Sequence, residues 1–280
     1  MASYLTSLYF EKGYHRSGFA LGNVFGCEYQ SIIDDPWTWI KLLGDHPITE
    51  GFEPGFALLH GEMDSLQGRL DPDCQSLNEA ELKLRGITVD ASYQAKVKID
   101  GDAKMLATIL ESAKPLGSYF KKDLSPAIPG KDTGYPAIIT NTYGKGKVVY
   151  FAGQIDRLFY RIGHPDHDRL LLNSVLWAGG DPVLKVDAPN TVEATFFEQP
   201  GRKIIHLLNH TYDQMFPAPA TGVYGNFSRG VARAITQIIP LNGLRVHFNV
   251  PNGSDVKKVH SISANEVIPH HLEGRKAVFN

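Results

Sequence analysis

Cysteine is scarce in this sequence: Cys27 and Cys74 are the two it has among 280 residues. They lie in unrelated contexts without C-x-x-C spacing, which argues against a zinc ribbon, a redox pair and a disulfide-stapled fold. Each reads as a small apolar filler. Net charge is slight, -2 with the histidines neutral, and no basic run accompanies it. No long-range field therefore draws nucleic acid, an anionic membrane or an acidic ligand. Long apolar runs are missing too, none reaching the ~18 residues of a membrane span. The opening M-A-S-Y-L-T-S-L-Y-F has neither a basic n-region nor an apolar stretch of signal-peptide length. The expectation is a soluble, cytoplasmic chain, not exported by its own signal and long enough for two domains of ordinary size.

The stretch N-T-Y-G-K-G-K-V-V-Y-F-A-G, residues 141 to 153, poses a choice between a phosphate loop and a turn. A G-x-x-x-x-G-K-[ST] loop lies between a strand and a helix, so that backbone N–H groups face the anion. Here strand-like Val148-Val149-Tyr150-Phe151 follows, and Tyr135 to Thr140 before it is also rich in β-branched and aromatic residues. The sequence predicts a β-hairpin, with Gly144 and Gly146 supplying positive φ angles.

Upstream, residues 18 to 27 carry apolar residues at helical intervals and stop at Gly26, a helix C-cap signal. Residues 31 to 80 are rich in turn formers and acids and read as mostly irregular, with one short strand near Phe56-Ala57-Leu58-Leu59. Ile87, Val89, Val97 and Ile99 alternate in part, Met105 to Leu110 reads as a buried strand, and residues 115 to 134 as a Pro- and Gly-rich loop.

The best helix is predicted over Asp168 to Ala178, with acids at its start and Gly179-Gly180 at its end. Its apolar face is expected to hold Leu171, Val175 and Ala178, with Leu172 and Leu176 beside them. Asp181-Pro182 then breaks the pattern, and the domain boundary is placed there. Beyond residue 185, short β-like runs (192 to 197, 203 to 208, 235 to 239, 244 to 250) alternate with turns, as in a small β-sandwich. Residues 215 to 230 read as a long loop.

Several runs in series carry a resemblance: T-S-L-Y-F-E-K-G-Y-H-R-S-G-F-A-L-G-N-V-F-G, Y-P-A-I-I-T-N-T-Y-G-K-G-K-V-V-Y-F-A-G-Q, R-L-L-L-N-S-V-L-W-A, V-D-A-P-N-T-V-E-A-T-F-F-E-Q with H-L-L-N-H-T, and I-I-P-L-N-G-L-R-V-H-F-N-V-P. Together they resemble the region after the catalytic barrel in β-galactosidase-like glycoside hydrolases. That region is the β-galactosidase trimerisation domain, with a class I glutamine-amidotransferase-like, flavodoxin-like fold, followed by a C-terminal β-sandwich. The resemblance implies an incomplete α/β domain over residues 1–183, lacking two or three N-terminal βα units, and a β-sandwich over 184–280. The (β/α)₈ barrel, which needs about 250 residues and carries the paired carboxylates of glycoside hydrolysis, has no counterpart here.

An amidotransferase-like fold invites a search for a nucleophilic cysteine at a strained strand-to-helix elbow. Neither Cys27, after Phe25-Gly26, nor Cys74, in D-P-D-C-Q, has that setting. The cluster Gly163-His164-Pro165-Asp166-His167-Asp168 could supply a metal through His164, His167 and Asp168. Pro165 breaks the helical i, i+4 spacing of zinc motifs, however, and the acids suit a helix start, so capping is the preferred reading. His206 is read as core and His210 as an exposed turn residue; His270-His271 reads as a solvated end. Trp37 and Trp39, two apart on a strand-like stretch, could form a sugar-stacking platform or an interface. Glu28, Glu50, Glu53 and Glu193 come with no recognisable partner.

The functional expectation is a non-catalytic assembly region that needs no cofactor. Its partners would be the catalytic barrel of a parent enzyme or symmetry-related copies, and the resemblance implies a trimer. Alternatives are a free-standing carbohydrate-binding protein and a metal-dependent hydrolase using His164, His167 and Asp168.

Overall fold

A computed structural model describes residues 1–12, 14–33, 38–60, 62–64, 90–92, 94–113, 129–211, 237–250 and 255–280. Trp37, Cys74, and the predicted 215 to 230 loop lie outside the described residues, as does most of the predicted 115 to 134 loop. The chain divides into two compact units, the first including Met1–Gly180 and the second beginning at Asp181.

The first unit is built on a six-stranded sheet. Its strands in chain order are β1 (Ala2–Ser3), β3 (Trp39–Leu42), β4 (Ala57–Leu59), β8 (Lys104–Ser112), β9 (Pro129–Tyr143) and β10 (Gly146–Phe151), and they lie side by side as β1-β10-β9-β8-β3-β4. Strand β2 (Cys27–Ile33) pairs with β7 (Gln94–Ile99), and β5 (Glu62–Asp64) with β6 (Asp90–Ser92). The helices are α1 (Gly22–Phe25), α2 (Ile155–Ile162) and α3 (Pro165–Gly179), with a 3₁₀ turn at Pro47–Thr49.

The architecture corrects the α/β flavodoxin-like expectation: the described chain is mostly β. In the large sheet β1 runs parallel to β10, and the other ladders are antiparallel. Local connection explains this. Parallel neighbours need a crossover of about a dozen residues, whereas β9 and β10 are joined by Gly144 and Lys145 alone. Gly144 takes φ 60, as a tight hairpin turn requires at its first central position. Gly146, expected to share that role, opens β10 with Tyr143 as its partner.

At the sheet centre Ala137, Ile138 and Ile139 of β9 and Val149, Tyr150 and Phe151 of β10 are all buried. Continuous rather than alternating burial means both faces are covered there. Neighbouring strand residues point oppositely: the Tyr150 ring packs on Phe19 and Phe25, the Phe151 ring stacks on His60. Register shifts along β8 and β9 and between Tyr29 and Ser31 of β2 bend these strands. Residues 31 to 80, expected to be irregular apart from one short strand near Phe56–Leu59, supply that strand as β4 and also contribute β3 to this sheet. Helix α1 ends at Gly26 with φ 73, where the sequence places the cap.

In the second unit β11 (Leu184–Asp187), β14 (Arg245–Asn249), β18 (Lys276–Phe279) and β17 (His270–Glu273) form an antiparallel sheet in that order. Strands β12 (Val192–Gln199) and β13 (Arg202–Asn209) form a hairpin, and β15 (Val259–Ser261) pairs with β16 (Glu266–Ile268). Phe248, Val250 and Ala277 are its core, with Phe196 and Ile205 packed against them. Residues 237 to 239, predicted as strand, form no ladder. No helix among the described residues is long and apolar enough to cross a membrane.

Candidate functional site

Helix α3 organises the predicted polar cluster. Pro165 takes its first position, where a missing N–H costs nothing, so it starts the helix instead of interrupting it. His164 is the N-cap: its Nδ1 accepts from the Asp166 N–H at 3.2 Å, a role expected of the aspartates. Asp166 and Asp168 lie in the first turn, where negative charge suits the helix dipole. His167 points inward and is buried, its ring centroid 5.6 Å from that of His164. The cap occupies His164, and among the described residues no three His, Cys, Asp or Glu side chains are placed to hold a metal.

Three faces of α3 have separate environments. Leu170 and Ser174 are buried, with the Ser174 hydroxyl donating to the Leu170 carbonyl at 2.7 Å. A second face clasps the 3₁₀ turn: Asn173 Nδ2 donates to the carbonyls of Ile48 and Glu50 at 3.1 and 3.0 Å, and Arg169 donates to that of Gly51. At the helix end Lys147 Nζ donates to the Trp177 carbonyl at 3.1 Å and lies over its indole. That contact gives the second lysine of G-K-G-K a structural partner at a helix C-terminus, the opposite polarity to an anion site. The third face carries Leu172, Val175 and Leu176, which stay 53%, 54% and 39% exposed. The sequence placed Val175 on the buried face; Leu170 takes that position instead.

Sequence reasoning missed a buried polar cluster at the end of β10. His60, fully buried, has both ring nitrogens without a hydrogen-bond partner among the described residues. Burial, and secondarily His167, push its imidazole down to about 3, so it is neutral. Gln94 Nε2 donates to Thr38 Oγ1 at 3.1 Å and to the His60 carbonyl at 2.8 Å, while its Oε1 has no such partner. Trp39 is half-buried with its indole nitrogen enclosed. Gln94 lies 34 positions from His60 and 56 from Thr38, and no local motif announces them.

The remaining candidates are scattered. Burial, then the Asp100 charge, pushes the Cys27 thiol up to about 12, which removes it as a nucleophile at neutral pH. His206 is exposed on β13, against the expectation of a core position, its ring centroid 5.3 Å from that of the exposed Phe197. His210 faces Glu193 at 3.5 Å, His270 is half-buried with Nε2 3.0 Å from the Val256 carbonyl, and His271 pairs with Glu273.

No family model matches the chain, and no curated protein matches it. Among solved structures it is similar to α-L-fucosidase isoenzyme 2 from Paenibacillus thiaminolyticus, with a TM-score of 0.62 and 14% identity over 99% of this chain. The match covers 38% of that protein. A cold-adapted β-galactosidase from Rahnella sp. R3 scores 0.44 at 17% identity, over 76% of this chain and 23% of its own. A family 42 β-galactosidase from G. stearothermophilus scores 0.43 at 14% identity, over 99% and 27%. The fucosidase likeness establishes a shared fold; the other two are too distant for that.

Proposed function

We propose that this chain is a non-catalytic assembly region of a β-galactosidase-like glycoside hydrolase, of the trimerisation-domain type, with a β-sandwich after it. The partners are symmetry-related copies or the catalytic barrel, with a closed trimer as the expected state. The observation that carries this reading is the exposed apolar face of α3, Leu172, Val175 and Leu176, on a helix that buries Leu170 and Ser174 and bonds the 3₁₀ turn through Asn173. Contiguous exposed apolar residues on one helix face mark an interaction surface. The fold shared with part of a much longer fucosidase supports the association with glycoside hydrolases.

Multi-angle light scattering on the purified chain at micromolar concentration tests the proposal. A homo-oligomer is expected, and Leu172→Asp with Val175→Asp should dissociate it without altering the circular dichroism spectrum. A wild-type chain that stays monomeric removes the proposal's support.

A further inference from the structure

Beyond assembly, the second unit carries a cleft of about 350 Å³ on its four-stranded sheet. Its lining includes Arg245 of β14, His271 of β17, Val278 of β18 and, where β16 passes into β17, Ile268 and Pro269. That volume falls at the lower end of the ~300–1,000 Å³ occupied by small-molecule sites. We propose that this cleft binds a small organic monocarboxylate, held by the Arg245 guanidinium.

Strand pairing fixes which side chains share the cleft. Val246 and Phe248 of β14 are buried, Phe248 within the core of the unit, so Arg245 and His247, which alternate with them, point to the opposite face. Directly paired residues stand on one face. His247 pairs with Val278 and Val278 with His271, so Arg245, Val278 and His271 belong to the same side of the sheet. Val278 is buried on the central strand of the three, while Arg245 and His271 are exposed on either side of it.

The charges on this face leave Arg245 unanswered. Asp187, opposite it on β11, gives one carboxylate oxygen to Lys185 at 3.1 Å and the other to His247 at 2.9 Å. Glu273 is engaged by His271 at 3.0 Å. That bond is the main reason the Glu273 carboxyl lies below its ordinary value; the charges of His271, His247 and Arg245 act in the same direction. The guanidinium therefore stands within electrostatic reach of β17, on the cleft side. Among the described residues it forms no hydrogen bond or ion pair.

The chemistry selects the ligand class. A guanidinium presents parallel N–H donors in a planar fork that a carboxylate can accept with both oxygens. Ile268 and Pro269 border the cleft with apolar surface for the rest of the molecule. A phosphate dianion would meet the like charges of Asp187 and Glu273 on the same face, a cost that is smaller for a single charge. A cation would face Arg245 and find both carboxylates already paired.

Saturation-transfer NMR on the full chain with benzoate, benzamide and phenyl phosphate tests the assignment. Transfer to the benzoate ring protons is expected with a dissociation constant of about 1 mM. Benzamide and phenyl phosphate should each bind more weakly. Arg245→Gln, at an exposed position, should weaken benzoate by about tenfold or more with an unchanged melting temperature. Absence of transfer at high millimolar benzoate overturns the proposal, as does benzoate affinity unchanged in the variant. Equal or tighter binding of benzamide or phenyl phosphate does the same. The readout depends on no subunit contact, so a monomeric chain that binds benzoate would sink the assembly reading and leave this one standing.

Discussion

Gly153 lies directly against His60: a Cβ built on the glycine would sit 2.4 Å from His60 Cδ2 and 2.7 Å from both terminal atoms of Gln94. The absence of a side chain at the end of β10 is what lets a buried imidazole and a buried amide pack there together.

Replacing Gly153 with alanine should therefore push His60 and Gln94 apart and loosen the bond from Gln94 to the His60 carbonyl. Overpacking of this kind costs about 1–3 kcal/mol. Urea unfolding of Gly153→Ala, followed by intrinsic tryptophan fluorescence, measures it; an unchanged midpoint would show that the cluster is slack.

His60 also makes stability depend on pH. Its imidazole titrates near 3 in the folded chain against an ordinary value of 6.5. Between those values the unfolded state binds the proton and the folded state does not, so stability is full above 6.5 and falls as the pH drops through that window. The slope approaches ~1.4 kcal/mol per pH unit. His60→Leu removes the titrating group. Melting temperatures compared from about pH 7 to about pH 4 should fall less steeply in the variant than in the wild type; parallel curves would contradict the assignment.

Cys27 should resist alkylation in the native chain, since a thiol pushed up to about 12 presents almost no thiolate at neutral pH. In a Cys74→Ser background, mass spectrometry after iodoacetamide treatment should show Cys27 unmodified until urea is added. Rapid native labelling would mean that the β2 edge opens readily.

The local features legible in the sequence are those that neighbouring residues decide. The G-K-G-K turn, the αL cap at Gly26 and the helix ending at Gly179 each depend on one glycine and the residues beside it. The start of α3 was harder: the aspartates after Pro165 masked the imidazole of His164, a less common cap.

Strand partnership belongs to the other class. Residues 31 to 80 show little period-2 alternation, yet Trp39–Leu42 sits in the large sheet because its ladders run to Leu110 and Leu59. That pairing is a property of distant segments, so no local window contains it. The candidate sites divide in the same way. By itself the sequence determined the low charge, the scarcity of cysteine, the turns and caps, and the best helix, because these follow from composition and contacts a few residues apart. Tertiary structure alone decided which face of α3 stays exposed, that His60 meets Gly153 and Gln94, and that Arg245, His271 and Val278 share one cleft. Those juxtapositions arise when strands far apart in the chain are drawn together by burial of apolar surface, a force without sequence-local direction.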